Sequence, residues 1–281
     1  MILVHDTIPK PENMEPEVTT TLPPKKAYPT LLQGFGIIGV AILVQGALSM
    51  PFGGLMQYDQ SLGTFVLYTL GFILTIVFAW KMGNRTSLSF GSVVPNLLPW
   101  VILLTLGIRL LIEPVLISLP YYEQFQEFMM KAIGDNMFLA FLTVAIAAPI
   151  LEEVLFRGII LEGLLQNYSP WKAIFWSATL FGLVHMNPYQ FLLALLIGMV
   201  MGWIYWKTGS LWLCILVHFV NNSFGFIVGW FLGLNIKEMT STRELMNGDQ
   251  QYMMLLGMAA VAVVVSIYML HRKMENHRPL A

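Results

Sequence analysis

The sequence is dominated by eight apolar stretches, mostly about twenty residues long: 31–50, 62–80, 97–119, 136–166, 171–186, 189–206, 211–232 and 251–270. A helix of about twenty apolar residues crosses the hydrocarbon layer of a bilayer. Inside that layer no water is available to the backbone. Each segment must therefore satisfy its own N–H and C=O groups, which favours helices. The expected fold is all-α, a polytopic membrane protein built as a bundle of about eight transmembrane helices. The fourth stretch is too long for a simple span, and Pro149 is expected to kink it. Met186-Asn187-Pro188 reads as a tight turn between the fifth and sixth.

Composition narrows the class further. Hydrophobic residues make up 57 % of the chain and charged residues 11 %, against about 45–50 % and about 25 % in soluble domains. That excludes an ordinary soluble enzyme, a disordered chain and a secreted disulfide scaffold. The formal net charge of −1 gives no electrostatic footprint for nucleic acid. The single cysteine, Cys214, allows no intrachain disulfide and no Cys-rich metal site. Residues 1–30 are polar, carry six of the fifteen prolines and read as a disordered cytoplasmic tail. Residues 31–270 form the transmembrane domain, and 271–281 a second cytoplasmic tail.

Lys and Arg set orientation, because they accumulate on the cytoplasmic side. With both termini inside, ten of these residues fall in cytoplasmic segments and three (Lys131, Lys237 and Arg243) in outer ones. The expected location is the cell membrane, multi-pass, with both termini cytoplasmic.

Ionisable groups inside spans are costly and need partners or a function. They gather in three segments: Glu152, Glu153 and Arg157 in the fourth, His185 with Phe181 one turn before it in the fifth, and His218 with the amides Asn221 and Asn222 in the seventh. Arg109 and Glu113 form a separate pair, read as a buried structural pair. Glu153 and Arg157 stand at i and i+4, acid first, and can form an internal ion pair. Glu152 lies about 100° round the helix, without a local cation, and suits a general base. His218 and Asn222 share a face. Counted along the helices, these groups reach compatible depths.

A carboxylate and a histidine can hold and deprotonate a water. A second histidine and an amide can stabilise a tetrahedral oxyanion. Together they amount to peptide hydrolysis in a membrane cavity. Glu152, His185 and His218 can alternatively ligate zinc with water in the fourth position. The sequence leaves both mechanisms open.

These residues resemble the CAAX protease and bacteriocin-processing family, also called Abi, which includes the type II CAAX prenyl endopeptidases. Its pattern stands here as Glu152-Glu153-x3-Arg157, Phe181-x3-His185 and His218-x3-Asn222. The resemblance covers roughly 136–232 and marks that stretch as a protease core. It implies an eight-helix intramembrane endopeptidase whose cavity opens to the cytoplasm. Glu152 would be the base and His185 would help bind water. His218 and Asn222 would form the oxyanion hole, with Glu153 and Arg157 in support. The substrate would be a membrane-associated protein or peptide at the lipid bilayer. The preferred reading requires no cofactor, although the family is often labelled metalloprotease. A non-proteolytic bacteriocin immunity or membrane scaffold protein of the same fold is the alternative. A proton-coupled transporter is disfavoured, because no repeated halves are evident.

Overall fold

A computed structural model describes residues 26–120, 122–232, 241–246 and 248–275. The described residues form helices and connecting turns, with no β-strand. The helices are α1 (Leu31–Tyr58), α2 (Gln60–Met82), α3 (Leu98–Ser118), α4 (Tyr122–Ile133), α5 (Met137–Asn167), α6 (Pro170–Leu183), α7 (Pro188–Thr208), α8 (Leu211–Leu232), α9 (Thr242–Leu245) and α10 (Asp249–Met274).

Local chemistry sets the boundaries. Thr30 opens α1 with a capping box to Gln33. Asp59 ends α1 and caps α2 by accepting from the Leu62 N–H at 3.0 Å. Asn136 caps α5 in the same way through Leu139 N–H. Gly209 ends α7 at φ +65°, and a Cβ on neighbouring Gly91 (φ +64°) would stand 2.2 Å from the Gly209 carbonyl oxygen.

Seven of these helices are long and apolar enough to cross a membrane. The expected count was about eight, and the difference lies in α6. This helix has 14 residues, or about 21 Å, against about 30 Å of hydrocarbon. It stops at Leu183 rather than 186 because Pro188 favours extended backbone at Asn187 (φ −146°, ψ 148°), while Met186 takes φ +53°. Asn187 then caps α7, accepting from Gln190 N–H at 2.8 Å. The chain still reverses here, and α6 packs along α7.

Helix α5 is the hub, touching α2, α6, α7 and α8. Leu155, Phe156, Ile159, Ile160, Leu161 and Leu164 on it are all fully buried. The outer helices α1 and α10 pair with α2 and α3. They leave Leu43, Met258, Val261 and Val264 largely exposed, as expected of surfaces that meet lipid.

Of the segment read as a disordered tail, residues 1–25 lie outside the described residues. The rest docks on the end of α5. Asn167 accepts from Ala27 N–H at 3.1 Å, and its amide donates to Ala27 O and Gly163 O, each at 2.8 Å. Gly163 makes room for this, since a Cβ there would meet Pro29 Cδ at 2.3 Å. Of the second tail, His271–Met274 continue α10, and 276–281 lie outside the described residues.

Asn167→Ala removes these bonds together. It is expected to destabilise the fold by about 1–3 kcal/mol and to expose the peptide bonds near Ala27 to limited proteolysis. Thermal unfolding in micelles and the position of the first proteolytic cut measure both effects.

Candidate active site

Helix α5 is not a regular α-helix. Two π-helical turns, Leu142–Ala147 and Phe156–Leu161, bracket the α-helical Ala148–Leu155 that carries Glu152 and Glu153. Pro149 stands in the first turn of that segment and has no N–H to give. The chain widens just ahead of it, so that Ala148 N–H bonds Thr143 O five residues back. Single π turns of this kind are frequent at functional sites.

The adjacent carboxylates on α5 approach the two ring nitrogens of His218 from different sides. Glu153 and Arg157 are both fully buried. Arg157 Nη1 donates to Glu153 Oε1 at 3.0 Å, and Nη2 donates to Gly198 O on α7 at 3.1 Å. The guanidinium lies 4.6 Å from the centre of the Phe181 ring on α6. A Cβ at Gly198 would stand 3.3 Å from Nη2 and 3.1 Å from Ala178 Cβ. Glu153 Oε1 also accepts from His218 Nδ1 on α8 at 2.8 Å.

Glu152 turns towards α2. Tyr68 OH donates to its Oε1. Its Oε2 is buried, has no hydrogen-bond partner, and stands 3.8 Å from His218 Nε2. A carboxylate can only accept, so Nδ1 of His218 carries hydrogen, and Nε2 is the atom turned towards Glu152.

His185 lies in the turn after α6 rather than on the helix. Its Nδ1 donates to Phe181 O at 2.9 Å, which leaves Nε2 as the unengaged ring nitrogen. The Phe181 ring meets both imidazoles edge to face, with centroids 5.4 Å from His185 and 5.5 Å from His218. The amide of Asn222 donates to Val144 O at 2.8 Å and accepts from Asn221 Nδ2 at 2.9 Å.

Four of the six residues singled out in the sequence line one cavity of about 410 Å³: Glu152, His185, His218 and Asn222. Glu153 and Arg157 do not line it; Glu153, itself paired with Arg157, holds His218 from behind. Tyr68, Thr64 and Asn221 also line the cavity. Tyr68 was not selected from sequence, because a single phenol in an apolar span carries no spacing signal. Arg109 lines the cavity too, with its guanidinium 5.0 Å from the centre of the Phe224 ring. Glu113 accepts from Thr242 N–H and Tyr252 OH.

Zinc requires three protein ligands converging at about 2.0–2.2 Å. Among the described residues, no three His, Cys, Asp or Glu side chains are grouped to hold a metal. Oε1 of Glu152 and Nδ1 of both histidines are engaged, which leaves Glu152 Oε2 and the two Nε2 atoms as the open donors. In this arrangement Glu152, His185 and His218 are not grouped as a three-ligand site among the described residues.

Residues 134–224 match the family model described as type II CAAX prenyl endopeptidase Rce1-like. All six sequence-selected residues fall inside that match, and Tyr68 falls outside it. The Bacillus subtilis (strain 168) protein named "Putative membrane peptidase YdiL" is 32 % identical over 99 residues, covering 35 % of this chain and 41 % of its own length. An Escherichia coli protein named "Uncharacterized 24.3 kDa protein" is 33 % identical over 114 residues, covering 37 % of this chain and 52 % of its own. The chain thus matches about two-fifths and about half of these relatives' lengths. No solved structure matches it.

Arg157→Leu leaves Glu153 buried without its cation. Removing one partner of a buried pair costs about 3–5 kcal/mol, and denaturant unfolding in micelles is expected to show a loss of that order. Gly198→Val, which crowds the guanidinium, is expected to destabilise in the same direction.

Proposed function

We propose that this chain is an intramembrane endopeptidase that hydrolyses a peptide bond of a membrane-associated protein or peptide, with Glu152 as the general base. One observation carries the reading. Glu152 has one oxygen fixed by Tyr68 and the other buried, unpartnered and 3.8 Å from His218 Nε2 at the wall of the cavity. A base must be held still and must keep a free lone pair for the proton it takes.

In the proposed reaction a water enters between Glu152 Oε2 and the imidazoles. Glu152 takes one proton as the water oxygen bonds the scissile carbonyl carbon. The oxyanion receives hydrogen bonds from the second N–H of Asn222 and, when His218 is protonated, from its Nε2–H. Glu153 fixes the orientation of the ring through Nδ1. With His218 protonated, Glu152, Glu153, Arg157 and His218 sum to zero charge, which suits a site with little water. Collapse of the intermediate breaks the C–N bond, and the proton on Glu152 passes to the leaving nitrogen. His185 Nε2 positions the water. No metal takes part in this scheme. CAAX-type specificity, suggested by the family description of residues 134–224, would require substrate to enter from the cytoplasmic side. The proposed location is the cell membrane, with both termini cytoplasmic.

Purified protein in liposomes with membrane-anchored fluorogenic peptides tests the scheme. Glu152→Gln is expected to lower turnover by about 10²–10⁴-fold while keeping the wild-type unfolding midpoint. Asn222→Ala is expected to lose about 10²–10³-fold in kcat. Wild-type turnover by Glu152→Gln, or turnover that is lost on chelation and restored by zinc, would overturn the base or the metal-free scheme respectively.

A further inference from the structure

Each long helix, with the shorter α6 counted among them, reverses the direction of its predecessor, so the bundle has two ends, and hydrogen bonds fix which segments share each. At one end, Gln60 Nε2 and Thr64 Oγ1 donate to Ala132 O, Asn136 N–H donates to Ser61 Oγ, and Tyr189 OH donates to Pro120 O. At the other, Arg85 donates to Gly158 O and Ile159 O, Leu211 N–H donates to Phe90 O, and Asn167 holds Ala27.

The cavity belongs to the first end. Thr64, Ala132, His185 and Gln190, all near that end, contribute to its wall. No wall residue comes from 83–97, 153–180 or 198–217. On the far side of Glu152, the fully buried Leu155, Phe156, Ile159 and Ile160 seal the bundle.

Most of the basic residues at helix ends belong to the second end. Lys26, Lys81, Lys172, Lys207, Arg272 and Lys273 all lie within the first or last turn of a helix there, or a few residues beyond it. Among the described residues, the cavity end has Lys131 and Arg243 in its connecting segments. Lys and Arg close to span ends are retained on the cytoplasmic side.

Taken together, these placements lead us to infer that the cavity opens away from the cytoplasm, so that substrate reaches Glu152 from the extracytoplasmic side. This rests on the protease reading for the word substrate, but not for the direction of access. The substrate class is then a peptide segment that has been translocated, or that lies in the outer leaflet. A lipid-modified C-terminus presented from the cytoplasm would meet the sealed, basic end. The resemblance noted in the sequence implied a cytoplasmic opening; the position of the cavity relative to the lysines and arginines points the other way.

Cysteine accessibility in bacterial spheroplasts expressing the full chain tests the inference, using a small membrane-impermeant methanethiosulfonate. Cys214 is fully buried, so the wild-type chain serves as the unlabelled control. Thr64→Cys reports the cavity wall, Glu127→Cys the exposed rim, and Lys172→Cys the exposed opposite end. Gln190→Cys replaces Thr64→Cys should that variant fail to fold. The rim and wall variants are expected to label in intact spheroplasts, and Lys172→Cys at least tenfold more after permeabilisation. Labelling of Lys172→Cys in intact spheroplasts overturns the inference. So does a wall cysteine that labels only after permeabilisation, or under neither condition. The readout needs no turnover, so an inactive protein that labels as expected refutes the protease reading alone. An active one with the reversed pattern refutes the direction of access alone.

Discussion

The guanidinium of Arg157 is the group around which the bundle is arranged. It is fully buried, and a buried charge in a membrane protein must find its partners inside the protein. Those partners come from several helices: Glu153 one turn earlier on α5, the Gly198 carbonyl on α7 and the Phe181 face on α6. Through the shared oxygen of Glu153 the network reaches His218 on α8. Lipid tails are as apolar as leucine, so the hydrophobic effect gives these helices little reason to choose one neighbour or register over another. Polar tethers and close approach at small residues supply that choice. Gly198 serves both ends, exposing its carbonyl and leaving room for the guanidinium.

Once His218 is held from behind, the two neighbouring carboxylates divide their work. Glu153 is committed to Arg157 and His218 and does not reach the cavity. Glu152 has one oxygen engaged by Tyr68 and keeps the other for the cavity. The π turns on either side of Ala148–Leu155 shift the helical phase of that short segment against the rest of α5. The same device accommodates Pro149 without breaking the span.

Much of this was legible along the chain. Long apolar runs prescribe helices that cross lipid, because backbone satisfaction there is a local matter. The i, i+4 spacing of Glu153 and Arg157 prescribes their pairing, and His218 and Asn222 are aligned by the same periodicity. Less legible was the length of α6. Its apolar pattern runs on to Met186, but Pro188 acts on the residue before it and ends the helix sooner. The docking of residues 27–30 is illegible for a similar reason. The tail's prolines signal irregular backbone, yet Pro29 fits against Gly163, which lies 134 residues further on.

The sequence by itself determined the class of fold, which ionisable residues stand inside the spans and the pairing within a single helix, because each depends on contacts no more than a turn or so apart. Only the tertiary structure decided that Tyr68, 84 positions from Glu152, fixes its carboxylate. It also decided that Glu153 on α5 reaches His218 on α8, and that the cavity sits at the end of the bundle opposite most of the lysines. These are matters of where separate helices meet. Helical periodicity says which residues share a face, but in lipid it says nothing about which face turns to which neighbour.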